Sequence, residues 1–432
     1  MAPKKEMGNI GEAYPMKSGD GLHSYSNNSY FQRDIINAAM QIVGEAIVKI
    51  VDILKISPST TIRVADLGCS VGPNTFFAME NILEAIELKC QNQGLDSQIP
   101  EFQVFFNDQT SNDFNSLFSS LPPNGRYHSA GVPGSFYSRL FPNHSLHIVH
   151  SSFSIQWLSR VPKKVVDRSS PAWNKGRIYY ASAADEVVEA YSAQCAEDMA
   201  RFLQARAQEI ADGGLMILIF PARLDGIPHS QFSNNIMFDM LGCCLMDMAQ
   251  KGIVSEEKVD MFNLPLYFIS AQELEAIIER NGCFSIEKME ILHPTITAQS
   301  LISTPHKGQA ISFHIRAATE GLIKAHFGEE ILDQLFDSYS RKVEDEYSLI
   351  VSAITLNYCA VKQQIESNDF ASFRIVYSCA IEWLSGSPKE VVDRSSPAWN
   401  KGSVYYSTAA HGVVKAYSVQ AHLRPTSIST FL

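Results

Sequence analysis

The sequence predicts an α/β protein, a doubly wound parallel sheet beneath a mostly helical cap. Two observations predict it. Short segments rich in β-branched residues alternate with segments of helical periodicity along most of the chain. The first strand also runs straight into a Gly/Ser/Pro loop that opens a helix, the position at which such sheets bind ligands.

The elements follow in order. Residues 34–55 place Ile35, Ala39, Ile42, Val43, Ala46, Ile50 and Leu54 at helical spacing, and Pro58 breaks the helix. Residues 61–66 form a short strand, 67–75 the loop, and 76–88 the next helix. Residues 102–106 are a strand ending in Asn107-Asp108, and 145–149 a strand ending at His150-Ser151-Ser152. Residues 186–210 read as a long helix. The run 214–220 is a buried strand, far short of the roughly 20 apolar residues that cross a bilayer. A helix over 271–280 and a strand over 284–291 follow. Residues 310–316 alternate apolar and polar, as a late antiparallel edge strand does. Stretches 160–180 and 225–270 break the alternation and read as the cap.

Composition narrows the function. Hydrophobic residues make up 45% and charged residues 19%, so the chain can bury a core and is not a disordered polymer. The net charge is −11 with no basic run, which argues against a nucleic-acid partner. The 8 cysteines form no C-x-x-C pair. This speaks against a zinc site or disulfide framework and fits a reducing, cytoplasmic setting. The first residues hold no apolar run, so no secretory signal or membrane partner is expected.

Residues 378–420 copy 152–194 without a gap, with 29 of 43 positions identical. The expected organisation is one domain over 1–360, with cap segments at about 160–180 and 225–300, and a tail over 361–432 that holds the partial copy. The copy has no equivalent of the loop after Asp66, so no independent activity is expected of it.

The loop Asp66-Leu-Gly-Cys-Ser-Val-Gly-Pro-Asn lacks the lysine of a phosphate loop and the glycine spacing of a dinucleotide loop. Gly68 permits a tight turn, and an acidic residue before it suits a ligand with a cationic part. Spacing alone leaves a plain strand-to-helix turn equally open. Asp108 is placed to accept hydrogen bonds from ribose hydroxyls; the alternative is a helix N-cap, a role Asp113 fills better. His147 and His150 sit at a strand end, where a general base could lie or where satisfied structural histidines are found.

Together these segments resemble the plant family that methylates salicylic, jasmonic, benzoic, loganic and related acids and, in a side branch, xanthine nitrogens. The resemblance spans about 16–350 and rests on the M-K-x-G-x-G-x-x-S-Y opening, D-L-G-C-S-x-G-P-N-T, F-N-D, G-S-F-Y, H-S-S-F-S-x-Q-W-L-S and D-x-F-N-x-P. It implies a Rossmann-like class I methyltransferase sheet with the cap over the acceptor site. It implies S-adenosylmethionine (SAM) as cofactor, held by Tyr25, Cys69, Asn74, Asp108, Gln109, Ser135, Phe136 and Ser152, with Asp66 shaping the loop. Gln32 and Trp157 match the donors that bind the carboxylate, and Phe153 and Gln156 match acceptor-pocket positions. Some members hold magnesium near Asn174, Asp260, Phe262 (through its carbonyl) and Asn263, and homodimers are common. Two departures occur: Ser18 stands where a glycine is usual, and Ile269 where a proline is usual. Both bear on loop and pocket shape.

The implied reaction is esterification of a small carboxylic acid. A carboxylate is ionised at neutral pH and needs no general base. Two neutral donors can orient it without the ground-state stabilisation an arginine would add. Two alternatives remain at this stage. One is N-methylation of a xanthine-like heterocycle, which Gln32 disfavours. The other is a binding protein impaired by its duplicated tail, which the intact cofactor set disfavours.

Overall fold

A computed structural model describes residues 15–51, 61–95, 99–123, 125–292, 307–347 and 373–380. Seven strands form one sheet: β1 (Ile62–Leu67), β2 (Phe102–Asp108), β3 (His128–Pro133), β4 (Leu146–Ser152), β5 (Ile210–Pro221), β6 (Phe284–Leu292) and β7 (Phe373–Ala380). Their order is β3-β2-β1-β4-β5-β7-β6, and every neighbouring pair is parallel. The central strands β4 and β5 are buried nearly throughout, as their continuous apolar runs require in a sheet covered on both faces.

The helices are α1 (Tyr25–Asn28), α2 (Tyr30–Ile50), α3 (Asn74–Asn92), α4 (Phe114–Ser119), α5 (Asp185–Glu209), α6 (Ser233–Gln250), α7 (Glu256–Asp260), α8 (Ala271–Asn281), α9 (Lys307–Phe327) and α10 (Leu332–Asp345). Local chemistry sets several of their ends. Asp113 caps α4 by accepting the Ser116 amide at 3.0 Å, the role expected of it. Ser270 and Glu273 form a capping box on α8, which ends at Gly282 in the left-handed region. Helices α6 and α7 fall within the segment expected to form the cap. Among the described residues no helix is long and apolar enough to cross a membrane.

The structure corrects one element. Residues 310–316 are not an antiparallel edge strand but the start of α9. Over seven residues, Ile311, Phe313 and Ile315 satisfy a period of two. Over the whole helix the buried positions Ser312, Ile315, Thr319, Ile323 and Phe327 recur every three or four residues. That stripe packs on α10, where Ser312 Oγ donates to the Phe336 carbonyl at 2.9 Å.

The seventh strand instead comes from the segment read as a tail. It lies parallel between β5 and β6, with Leu215 opposite Arg374 and Phe284 opposite Phe373. It shares three residues with β4: Ile148, Val149 and Ser151 reappear as Ile375, Val376 and Ser378, one residue out of step with the longer copy. The rest of the copied segment, 381–420, lies outside the described residues.

Candidate active site

The site forms where β1, β2 and β4 end. Asp66 lies opposite His150 and Leu67 opposite Asn107, so the loops leave the sheet at one level. The Gly68 and Cys69 amides both donate to the Asn107 carbonyl at 2.9 Å, folding the chain back sharply. Gly68 has φ 83°, and a Cβ there would collide with the Ser154 side chain, so only glycine fits.

Asp66 is buried beneath this loop. Its carboxylate accepts from Thr75 Oγ and pairs with His150 Nδ1 at 2.7 Å, joining β1, α3 and β4. Both oxygens are thus engaged by protein groups, which fits shaping of the loop rather than contact with a ligand's cationic part. His150 is a structural partner, and His147 Nδ1 accepts the Arg63 amide at 3.0 Å. Burial, with Arg63 adding to it, pushes His147 down to about 4, so the ring is neutral. Neither histidine lines the cavity described next.

A cavity of about 490 Å³ opens above the strand ends. It is lined by Tyr25, Gln32, Asp108, Gln109, Ser135, Phe136, Phe153, Gln156 and Trp157, all expected site residues. Cys69, Asn74 and Ser152 are not among its lining residues. Cys69 is buried, which pushes its thiol well up. Asn74 Nδ2 donates to the Ser29 carbonyl at 2.9 Å and to Ser29 Oγ at 3.0 Å, binding the N-terminal segment to the loop. Ser152 Oγ is buried without a partner.

Asp108 ends β2. Its Oδ2 accepts the Ser70 amide and its Oδ1 the Gln109 amide, each at 2.8 Å. Burial nevertheless raises its carboxyl to about 6; the two amides pull it down and Asp66 pushes it up. The 134–141 loop that carries Ser135 and Phe136 is held from below by Arg206. Its guanidinium donates to the Phe136 carbonyl at 2.7 Å, the Ser138 carbonyl at 3.0 Å and Glu209 Oε2 at 2.7 Å. Glu209 in turn accepts the Leu140 and Phe141 amides. Both side chains are wholly buried on α5. Sequence reading missed them, because an i, i+3 pair on a helix looks like surface charge.

The other half of the cavity is built on residues 153–158. Phe153 has φ 53°, in the left-handed region, and its amide donates to Ile219. Tyr137 Oη donates to the Trp157 carbonyl at 2.6 Å, and Trp157 bridges Leu266. Among the described residues, no hydrogen bond engages the Trp157 indole N–H or the Gln32 side-chain amide. Cap residues Met237, Phe238, Leu266 and Phe268 supply apolar walls, within the stretch expected to shape the acceptor pocket. His314 and Ile315 of α9 also line it and went unrecognised, because their segment read as an edge strand. No lysine or arginine among the described residues lines the cavity.

The four expected metal positions gather elsewhere, all buried. Asn174 Nδ2 donates to Asn263 Oδ1 at 2.7 Å, and the Gly176 amide donates to Asp260 Oδ1 at 2.7 Å. Asn174 Oδ1 is buried without a partner, an oxygen left for some other donor or a cation. The described residues contain no group of three histidine, cysteine or acidic side chains placed to hold a metal ion.

Known proteins are similar to this chain. A sequence profile described as SAM-dependent carboxyl methyltransferase matches residues 11–362 and again 371–428. A loganic acid O-methyltransferase of Catharanthus roseus is 45% identical over 341 residues, covering 78% of this chain and 90% of that protein. A farnesoic acid carboxyl-O-methyltransferase of Arabidopsis thaliana is 36% identical, covering 79% and 95%. A solved loganic acid methyltransferase with S-adenosylhomocysteine (SAH) superposes with TM-score 0.74 at 44% identity, covering 78% of this chain and 94% of that one.

Proposed function

The chain belongs to the SAM-dependent carboxyl methyltransferases, and on that premise we propose how its own residues perform the transfer. It is an enzyme that moves a methyl group from SAM to the carboxylate of a small organic acid, giving a methyl ester. SAM, when bound, supplies a sulfonium-activated methyl carbon. The protein's task is to hold the acceptor in line with that carbon and to exclude water, where alignment alone is worth about 7–11 kcal/mol.

One observation carries the assignment of roles: a single cavity holds the fixed carboxylate of Asp108 together with the uncommitted side chains of Gln32 and Trp157, and no described cation. Asp108 accepts the ribose hydroxyls of the cofactor. Tyr25, Gln109, Ser135 and Phe136 enclose the rest of it, while Asp66, Cys69, Asn74 and Ser152 shape the wall behind. Gln32 and Trp157 donate to the acceptor carboxylate. Because both donors are neutral, they orient the charge that disappears during transfer without pairing it strongly. Phe153 and Gln156 border the acceptor body. The test is methyl transfer from labelled SAM to a panel of carboxylic acids and xanthines, in the wild type and in Gln32→Ala and Trp157→Phe. Methylated xanthine in place of ester would assign the heterocycle reading.

Three further parts belong to this reading. Asn174, Asp260, the Phe262 carbonyl and Asn263 hold a structural magnesium between cap and core, supported by the unpartnered Asn174 oxygen and an all-oxygen donor set. With one carboxylate the site is weak, so chelation lowers the melting temperature slightly and leaves turnover intact; lost turnover would make the ion catalytic. The protein is a homodimer, supported by the exposed Met40 and Val48 on α2 and Phe77 and Leu88 on α3. A monomer mass in sedimentation would remove this. It works in the cytoplasm, supported by free thiols at Cys69, Cys90, Cys195, Cys243, Cys244 and Cys283; a tagged protein found in an oxidising compartment would contradict it.

A further inference from the structure

Trp157 presents the indole proposed to meet the acceptor carboxylate, and the backbone that carries it decides where that indole stands. The cap holds this backbone on either side of Trp157 through main-chain bonds. The Gln156 carbonyl accepts the Tyr267 amide at 2.9 Å, and the Leu158 amide donates to the Pro265 carbonyl at 2.8 Å. Two side chains from elsewhere in the fold complete the frame.

The first is Tyr137, in the 134–141 loop. Its hydroxyl donates to the Trp157 carbonyl at 2.6 Å, with the Ile155 carbonyl a second acceptor at 3.3 Å. Its ring packs against Phe136, the centroids 4.7 Å apart. Burial, with Asp198 adding to it, pushes the phenol well up, so it keeps its proton and stays a donor.

The second is Asp198, buried on α5. Its Oδ2 accepts the Ser159 amide at 2.8 Å, and its Oδ1 the Ser159 hydroxyl at 2.7 Å. Gln194 Nε2, at 3.0 Å, and the Arg201 guanidinium also donate to Oδ1. Asp198 stands about two turns before Arg206 on the same helix. One buried charge therefore holds the 153–159 segment and the other the 134–141 loop.

We propose that Tyr137 and Asp198 are positioning residues for the transfer: by fixing the Trp157 carbonyl and the Ser159 amide, they aim the Trp157 indole N–H at the acceptor carboxylate. The inference rests on the donor role of Trp157 given above and adds what sets that donor. Misplacing an orienting group by about 1 Å can cost about 100-fold in rate, so a side chain with no share in the chemistry can govern it.

Tyr137→Phe deletes the hydroxyl and keeps the ring. Asp198→Asn keeps one oxygen for the Ser159 amide but sets an amide nitrogen against the remaining donors. Each is made in the full chain, alone and combined with Trp157→Phe. All are assayed with labelled SAM and the acid of the panel above that is methylated fastest. Each single variant should lower kcat/KM for the acid about fivefold or more, while SAH affinity stays within about twofold of wild type. In the Trp157→Phe background no indole N–H is left to aim, so the same substitutions should cost less than about a further twofold. A general loss of packing would not saturate in this way. Full losses in both backgrounds would overturn the proposal and leave the donor role of Trp157 standing. So would SAH affinity falling as far as acid use, or an acid kcat/KM within about twofold of wild type in Tyr137→Phe. That variant decides the case alone should Asp198→Asn not fold. No loss in Trp157→Phe itself, or methylated xanthine with no ester from any acid, would remove the donor role and the proposal with it.

Discussion

Strands β4 and β7 share an Ile-Val-x-Ser core and lie in two parts of one sheet. β4 lies between β1 and β5, and β7 between β5 and β6. Both are parallel strands with neighbours on each side, because Ile-Val centred runs suit an inner strand wherever they are inserted. Their surroundings differ. β4 emerges beside the loop after Asp66, its His150 grips that aspartate, and it leads into Phe153, Gln156 and Trp157 of the cavity. β7 lies between β5 and β6, and neither offset in the repeat sets a histidine in the place of His150: Val376 and Tyr377 stand there. The strand is transferable, and the chemistry is not. It belongs to the junction of β1, β2 and β4.

The largest break of this comparison is removal of β7. A chain ending at residue 360 lacks β7 and leaves the facing edges of β5 and β6 unpaired. It should be largely insoluble, or melt at least about 10 °C lower. A chain ending at residue 380 keeps β7 and should remain folded and active. Equal melting and turnover for the 360-residue chain would mean that β7 adds nothing to the sheet. Next in size is the tryptophan pair. On the proposed roles, Trp157→Phe removes the indole donor to the acceptor carboxylate and should lower kcat/KM for the acid about 10- to 100-fold, with SAH affinity unchanged. The counterpart Trp383→Phe should change neither. Equal losses in both would show the tail taking part in the site.

Arg206→Met sharpens the comparison from the supporting side. It strands Glu209 as a buried charge without its partner, a loss of about 3–5 kcal/mol in stability. It also frees the Phe136 and Ser138 carbonyls, so the KM for SAM should rise several-fold more than the KM for the acid. A purely structural role would lower the melting temperature and leave both KM values alone.

Much of the architecture is written locally. The loop from Asp66 to Asn74, the end of β2 at Asp108 and the cap of α4 at Asp113 follow from residue types that admit few alternatives. What escaped was decided by packing at a distance. Residues 310–316 satisfy either period within seven positions, and only their seating on α10 selects the helix, which in turn brings His314 into the cavity. Arg206 and Glu209 look like ordinary surface charge until the 134–141 loop closes over them. An Ile-Val centred strand carries no mark of the gap it will fill.

The smallest predicted effect concerns Asp108, which has no counterpart in the copied segment. Its carboxyl is raised from the ordinary 3.8 to about 6 by burial. The sign follows from that direction. The folded protein takes up this proton more readily than the unfolded chain, so the contribution is full below about 4 and is lost as pH rises through about 6. On the proposed role of Asp108, ribose hydroxyls would donate to the ionised form and draw the pKa back down. Cofactor binding near pH 6 should therefore release a proton, and SAH affinity should weaken below pH 6 by at most about tenfold per unit. Asp108→Asn removes the titration. Its affinity should be lower at neutral pH and flat between pH 7.5 and 5, measured by calorimetry in buffers of different ionisation enthalpy. A wild type as flat as the variant would mean that the hydroxyls of the cofactor are held elsewhere, and that the end of β2 is as silent as the end of β7.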